Sequence, residues 1–204
     1  MKLYHCRGAR SLRPLWALEE MGLDYELVTL KFPPRVFDKS FKSVNPLGTV
    51  PCLVDGDLTM TESSAICEYL GQKYGPTSLI VAPDEKEYGD YLNWLHRADA
   101  TLTFPQTLVF RYTALEPEER RQPQVVEDYR AWFLGRWRSV DAALEERDYL
   151  CANRFTMADI CVGFALFFAN TLGISEAMTP NVEKWWGRLT ERPAYQRAIA
   201  YGAD

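Results

Sequence analysis

The sequence predicts an α/β domain followed by an all-α domain. Up to Gly75-Pro76, short apolar strand patterns alternate with helical stretches. After Pro76 the composition shifts to a linker-like stretch, and from Glu87 onward only helical periodicity is found.

The bulk numbers are compatible with that order. The chain has 204 residues, 47% hydrophobic and 25% charged, an ordinary globular composition that buries a sizeable core without disulfides or metals. Its formal net charge of -5 argues against a nucleic-acid binder, which carries a basic face. The five cysteines match no zinc or disulfide spacing and several sit in apolar runs, so a reducing, cytoplasmic setting with buried thiols is expected. The start of the chain has no signal-peptide h-region. The longest apolar run, Ile160 to Leu172, is shorter than the ~20 residues that span a bilayer, and no membrane partner is expected.

In the first domain, residues 2–5 read as a strand and Cys6 to Arg10 as a polar loop. From Leu12 to Met21 the pattern is helical, with Leu12, Leu15, Trp16, Leu18 and Met21 on one side. Gly22 is a natural stop. Pro14 limits where this helix starts, because proline is tolerated only in the first turn. Ser11 is therefore the best N-cap candidate. Tyr25 to Leu30 reads as a second strand, and residues 33–44 as a proline-led segment with one short helix. Val50 to Val54 and Leu58 to Met60 flank Asp55-Gly56, a hairpin signal. Glu62 to Tyr74 is helical and ends at Gly75-Pro76. A parallel pair joined by a helix, then an antiparallel hairpin and a covering helix, is the thioredoxin-like arrangement.

In the second domain, helices are expected over about Glu87 to Tyr112, Gln124 to Glu146, Met157 to Leu172, Val182 to Arg192 and Ala194 to Tyr201. The charged run from Glu116 to Arg121 reads as a solvated break. Thr156 with Asp159 three residues on is a capping-box variant, and Phe155 with Ile160 is a hydrophobic staple. The expected boundaries are 1–77 for the α/β domain, 78–85 for the linker and 86–204 for the helical domain.

Few residues here carry conventional active-site chemistry. The chain has two histidines and no CxxC pair, Gly-rich phosphate loop or metal-ligand spacing. Its most informative stretch is Asn45-Pro46-Leu47-Gly48-Thr49-Val50-Pro51, followed by Glu62-Ser63-Ser64-Ala65-Ile66. The first part is a constrained turn into a strand. The second places an acid and hydroxyls at a helix start, where free N–H groups and the dipole favour a carboxylate. Plain helix-start chemistry, with Thr61 as cap, is the competing reading.

Ser11, Val50-Pro51, Glu62 to Ile66 and Thr156 to Ile160, in this order, resemble the cytosolic glutathione transferases, in particular bacterial, serine-type or beta/theta-like members. The resemblance covers essentially the whole chain and implies that fold: a thioredoxin-like domain plus a helical bundle.

It implies a cis Pro51, with Val50 offering its N–H and C=O to the cysteinyl part of glutathione as in strand addition. Glu62 would pair with the γ-glutamyl ammonium and Ser63 with the adjacent carboxylate. Ser11 is the catalytic candidate, its hydroxyl donating to the thiol and lowering a pKa of ~8.5; the alternative is a plain N-cap serine. Arg10 stands where some bacterial members have cysteine and would add positive potential. Thr49 stands where many relatives have Lys or Gln facing the glycine carboxylate, and Lys39, Lys42 and Arg35 are substitutes. Tyr4 is a rival donor that more readily packs in its strand, and Cys6 a rival nucleophile too early in the chain. Asn93 and Asp99 are candidates to reach a partner's ligand, and Phe104, Phe110 and Tyr112 to line an acceptor pocket. His96 is expected to make a structural hydrogen bond.

The expected activity is transfer of glutathione to a small, largely apolar electrophile, as in detoxification, by a homodimer without a metal. A glutathione-dependent isomerase, etherase, dehalogenase or peroxidase of the same fold is an alternative. So are a non-catalytic glutathione-binding module and a thiol oxidoreductase using Cys6.

Overall fold

The computed structural model describes residues 1–201. The chain forms two compact units, Val81–Leu189 and a first unit of Met1–Ile80 together with the described residues from Thr190 on.

The first unit holds a sheet of order β2-β1-β3-β4, with β1 at Lys2–His5, β2 at Glu26–Thr29, β3 at Cys52–Asp55 and β4 at Leu58–Met60. β1 runs parallel to β2 and antiparallel to β3, and β3 pairs antiparallel with β4. This is the thioredoxin-like order expected above. Helix α1, Leu12–Met21, joins the parallel strands and ends at Gly22, left-handed at φ 60°. Its residues from Leu12 to Leu18 are all buried, so its N-terminal half is enclosed on every side. The proline-led segment holds α2, Pro34–Phe37, and a 3₁₀ turn, Lys39–Ser43. Helix α3, Ser63–Lys73, follows the hairpin. Asp55 accepts from Tyr69 Oη at 2.7 Å and Lys73 Nζ at 2.9 Å, fastening the end of β3 to the end of α3.

The second unit contains α4 at Tyr88–Arg97, α5 at Phe104–Phe110, α6 at Pro123–Ala143, α7 at Met157–Thr171 and nearly all of α8, Pro180–Thr190. The single helix expected over Glu87 to Tyr112 is interrupted by wider π-helical turns at Ala98–Thr103 and Arg111–Leu115. Two local features accompany the interruptions. Pro105 has no N–H to donate, and the hydroxyls of Thr107 and Thr113 donate back to the carbonyls of Thr103 and Val109. The charged run after them is not a solvated break throughout. Glu116 is buried and takes Arg111 Nε and Arg120 Nε at 2.8 Å each.

The last helix, α9 at Pro193–Ala200, departs from the expected division, which placed it in the helical domain. It packs on α1 in the first unit. Trp16 meets Tyr195 edge-on at 4.8 Å between ring centroids. Arg192 grips Glu20 through two bonds of 2.6 and 2.7 Å, and Arg197 Nε reaches Glu19 at 2.6 Å. The periodicity of 194–201 marks a helix but carries no information about which unit its apolar side meets.

The capping box at α7 is present as expected. Asp159 is buried, and each of its carboxylate oxygens accepts twice. Oδ1 takes Leu150 N–H at 3.1 Å and Trp185 Nε1–H at 3.0 Å. Oδ2 takes Thr156 N–H at 2.9 Å and Thr156 Oγ1–H at 3.3 Å. One side chain thus ties together the α7 start, the preceding loop and α8. Asp159→Asn forces an NH2 group against two of these donors, and we expect it to cost about 2–4 kcal/mol in urea unfolding, against under 1 kcal/mol for an exposed control such as Asp128→Asn.

Candidate functional site

The sheet register collects the candidate residues at one end of the first unit. Tyr4 pairs with Cys52, and Leu53 with Met60. The loop that follows β1, the turn that precedes β3 and the segment that leaves β4 therefore emerge at the same sheet end.

In the loop after β1, Ser11 occupies the N-cap position of α1, but at φ -63°, ψ -12° its backbone is already helical and its side chain makes no cap bond. Ser11 is fully buried. Its Oγ accepts Cys6 N–H at 3.2 Å, lies 2.9 Å from His5 Nδ1 and donates to Cys6 C=O at 3.3 Å. The hydroxyl read from the sequence as an outward donor is thus engaged in joining β1 to α1. Ser11 thus holds the expected N-cap position without making a cap bond, and lies behind the surface rather than on it. His5, the other half of the contact, was missed; it sits at a strand end with no motif to mark it. Arg10, just before, is half-buried.

In the turn before β3, Asn45 is buried and holds the chain from inside. Its Nδ2 donates to Thr49 C=O at 2.8 Å and its Oδ1 accepts Leu47 N–H at 3.1 Å. Gly48 has φ +61°, and a Cβ there would stand 2.8 Å from Arg35 Cβ and 3.7 Å from Lys42 Cε. The turn therefore lies against Arg35 and Lys42, whereas nothing places Lys39 near it. The Val50–Pro51 peptide is cis. Among the described residues, neither the N–H nor the C=O of half-buried Val50 has a hydrogen-bond partner. An unpaired main-chain donor and acceptor on one residue is what strand-like pairing with a peptide requires. Thr49 is exposed beside it.

At the α3 start, the N-cap is Glu62, extended at φ -89°, ψ 116°, and no side chain caps the helix, Thr61 included. Glu62 is exposed, and its carboxylate has no partner among the described residues. Ser63 is buried, and its Oγ accepts from Arg13 Nη1 at 2.9 Å. Arg13 is itself fully buried, on α1. It was also missed by sequence reasoning. It lies off the apolar stripe of α1, and one partner of its guanidinium, Ser63, is on α3.

The two rival groups stand in the same unit. Tyr4 packs on Phe41 at 5.1 Å between ring centroids. Cys6 is buried, which pushes its thiol up to about 12, so it carries almost no thiolate near neutral pH. In the second unit, His96 and Asn93 are exposed, and His96 makes no hydrogen bond among the described residues, contrary to expectation; Asp99 is half-buried. Phe110 and Tyr112 are half-buried, Phe110 lies 5.7 Å from Phe168, and Phe104 is 47% exposed. Among the described residues no group of three or more potential ligands is arranged to hold a metal ion, and no helix is long and apolar enough to cross a membrane.

Known proteins share this architecture. The glutathione S-transferase N-terminal domain matches residues 1–72, and the glutathione S-transferase C-terminal domain matches residues 109–193. Glutathione S-transferase Z1 of Arabidopsis thaliana is 31% identical over 98% of this chain and 91% of its own. A solved ternary complex of BphK, a bacterial glutathione S-transferase, superposes with a TM-score of 0.86 at 29% identity, covering 98% of both chains. A sphingomonad glutathione S-transferase complexed with glutathione gives 0.86 at 28% identity, covering 98% of this chain and 97% of its own.

His5 provides a pH test of the buried knot. Burial pushes its imidazole from 6.5 down to about 4, against the Ser11 contact that raises it. The stability it contributes is complete above pH 6.5 and is lost as pH falls toward 4, by at most ~3 kcal/mol. Urea unfolding at pH 7.5 and 4.5 should therefore show a smaller acid loss in His5→Gln than in wild type.

Proposed function

The chain belongs to the glutathione S-transferase family, and from that premise we propose how the first unit divides the work of holding glutathione. The activity is glutathione transfer, with glutathione as co-substrate.

Val50 pairs its main chain with the cysteinyl residue, beside Thr49 and Pro51. Glu62 takes the γ-glutamyl ammonium. Ser63 and the N-terminal N–H groups of α3 take the neighbouring carboxylate. Arg35 and Lys42, both against the Gly48 turn, supply the cation for the glycine carboxylate that Thr49 does not provide. The observation that carries this reading is the unpaired main chain of Val50, at the same sheet end as the free carboxylate of Glu62.

For the thiol, the reading favours Arg10 and the positive end of α1 over the hydroxyl of Ser11. Ser11 would have to surrender its contacts to His5 and Cys6 before it could donate outward. A guanidinium and a helix N-terminus both lower a thiol pKa. The thiolate then attacks an electrophile, read as small and largely apolar from the aromatic side chains Phe104, Phe110 and Tyr112. The protein is further read as a cytoplasmic homodimer, as members of the family it resembles are.

Two measurements test these roles. Glu62→Gln is expected to raise the Kd for glutathione about tenfold, near 1.4 kcal/mol, while leaving the KM of the electrophile unchanged; an unaltered glutathione affinity sinks the ammonium pairing. Ultraviolet titration of bound glutathione should give a higher thiol pKa in Arg10→Ala than in wild type and a nearly unchanged one in Ser11→Ala. A rise confined to Ser11→Ala would return the activating role to that hydroxyl.

A further inference from the structure

The contact between Arg13 and Ser63 has a direction, because a guanidinium carries donors and no acceptor. Arg13 Nη1 donates to Ser63 Oγ at 2.9 Å. A hydroxyl has one proton and two lone pairs. With the oxygen already accepting from Arg13, the Ser63 proton is left for another group, and among the described residues no acceptor takes it. Both residues are enclosed, Arg13 at 0% exposure and Ser63 at 2%, so neither rotates freely in water. Ser63 is also the first residue of α3, an eleven-residue helix with no side-chain cap.

We propose that Arg13 is a positioning residue for glutathione: by donating to the buried side of Ser63 Oγ, it turns the hydroxyl proton toward the γ-glutamyl carboxylate. This rests on the assignment of that carboxylate to Ser63. An ionised carboxylate only accepts, so it suits a hydroxyl that is permitted only to donate. A carboxamide in its place presents its own N–H donors and gains less from a hydroxyl held this way. Lysine at position 13 is also donor-only and preserves the orientation. Glutamine has an acceptor, so it lets Ser63 turn inward.

The test measures Kd for glutathione, and for the analogue whose γ-glutamyl α-carboxylate is a carboxamide. The proteins are wild type, Arg13→Lys, Arg13→Gln, Ser63→Ala and the Arg13→Gln/Ser63→Ala double variant. Arg13→Gln should weaken glutathione about tenfold and Arg13→Lys no more than about threefold, with the analogue changed little by either. In the Ser63→Ala background, Arg13→Gln should add no further loss. The proposal is overturned if the two losses multiply, if both ligands weaken equally, or if Arg13→Gln binds glutathione as wild type does while Ser63→Ala does not. Wild-type binding by Ser63→Ala instead removes the carboxylate assignment, and the proposal with it. If Arg13→Gln does not fold, Arg13→Lys decides, since it must keep the wild-type preference for glutathione over the carboxamide.

Discussion

Everything at the candidate site follows from the enclosure of the first half of α1. A helix start exposes N–H groups that need partners, and a helix buried on all sides cannot leave them to water. From Ser11 to Leu18 no residue reaches the surface. Polar side chains there must therefore be satisfied by neighbouring elements, and the available neighbours are β1 and α3. Ser11 meets the end of β1 through His5 and Cys6, and Arg13 meets the start of α3 through Ser63. These contacts hold three elements at one sheet end, where the turn before Pro51 also arrives.

The helical unit solves a similar problem with one carboxylate. Full burial raises the Asp159 pKa to about 6, against donors that each pull it down. Its neighbours respond by surrounding both oxygens with donors from the backbone, a threonine and an indole. The arrangement resembles the Asn45 amide in the other unit, which also steadies a loop from within. In both, a single buried polar side chain does what several surface contacts would do less rigidly.

These particulars explain what sequence reading reached. Pro14 and Gly22 are rigid local signals, so α1 was legible to the residue at both ends. Thr156 and Asp159 interact across three positions, and their box was equally plain. The places of Val50 at a turn and of Glu62 and Ser63 at a helix start were legible because that chemistry is local. The direction of the Ser11 hydroxyl was not, since it depends on a helical ψ at residue 11 and on a histidine across the loop. The contact of Arg13 with Ser63 was invisible because the two lie fifty positions apart. The π-helical turns were likewise hidden, for apolar periodicity hardly changes when a turn widens by one residue.

The grip of Arg192 and Arg197 on Glu20 and Glu19 bears on how the protein is made. The first unit is discontinuous: the whole of Val81–Leu189 is synthesised between α1 and the helix that covers it. A ribosome that has delivered the sheet and its first three helices has not yet delivered the cover for Trp16. Until α9 emerges, one side of that tryptophan is uncovered and the acidic pair at the end of α1 lacks its arginines. The first unit is thus assembled early but finished late, which gives a co-translational chaperone a defined surface to protect.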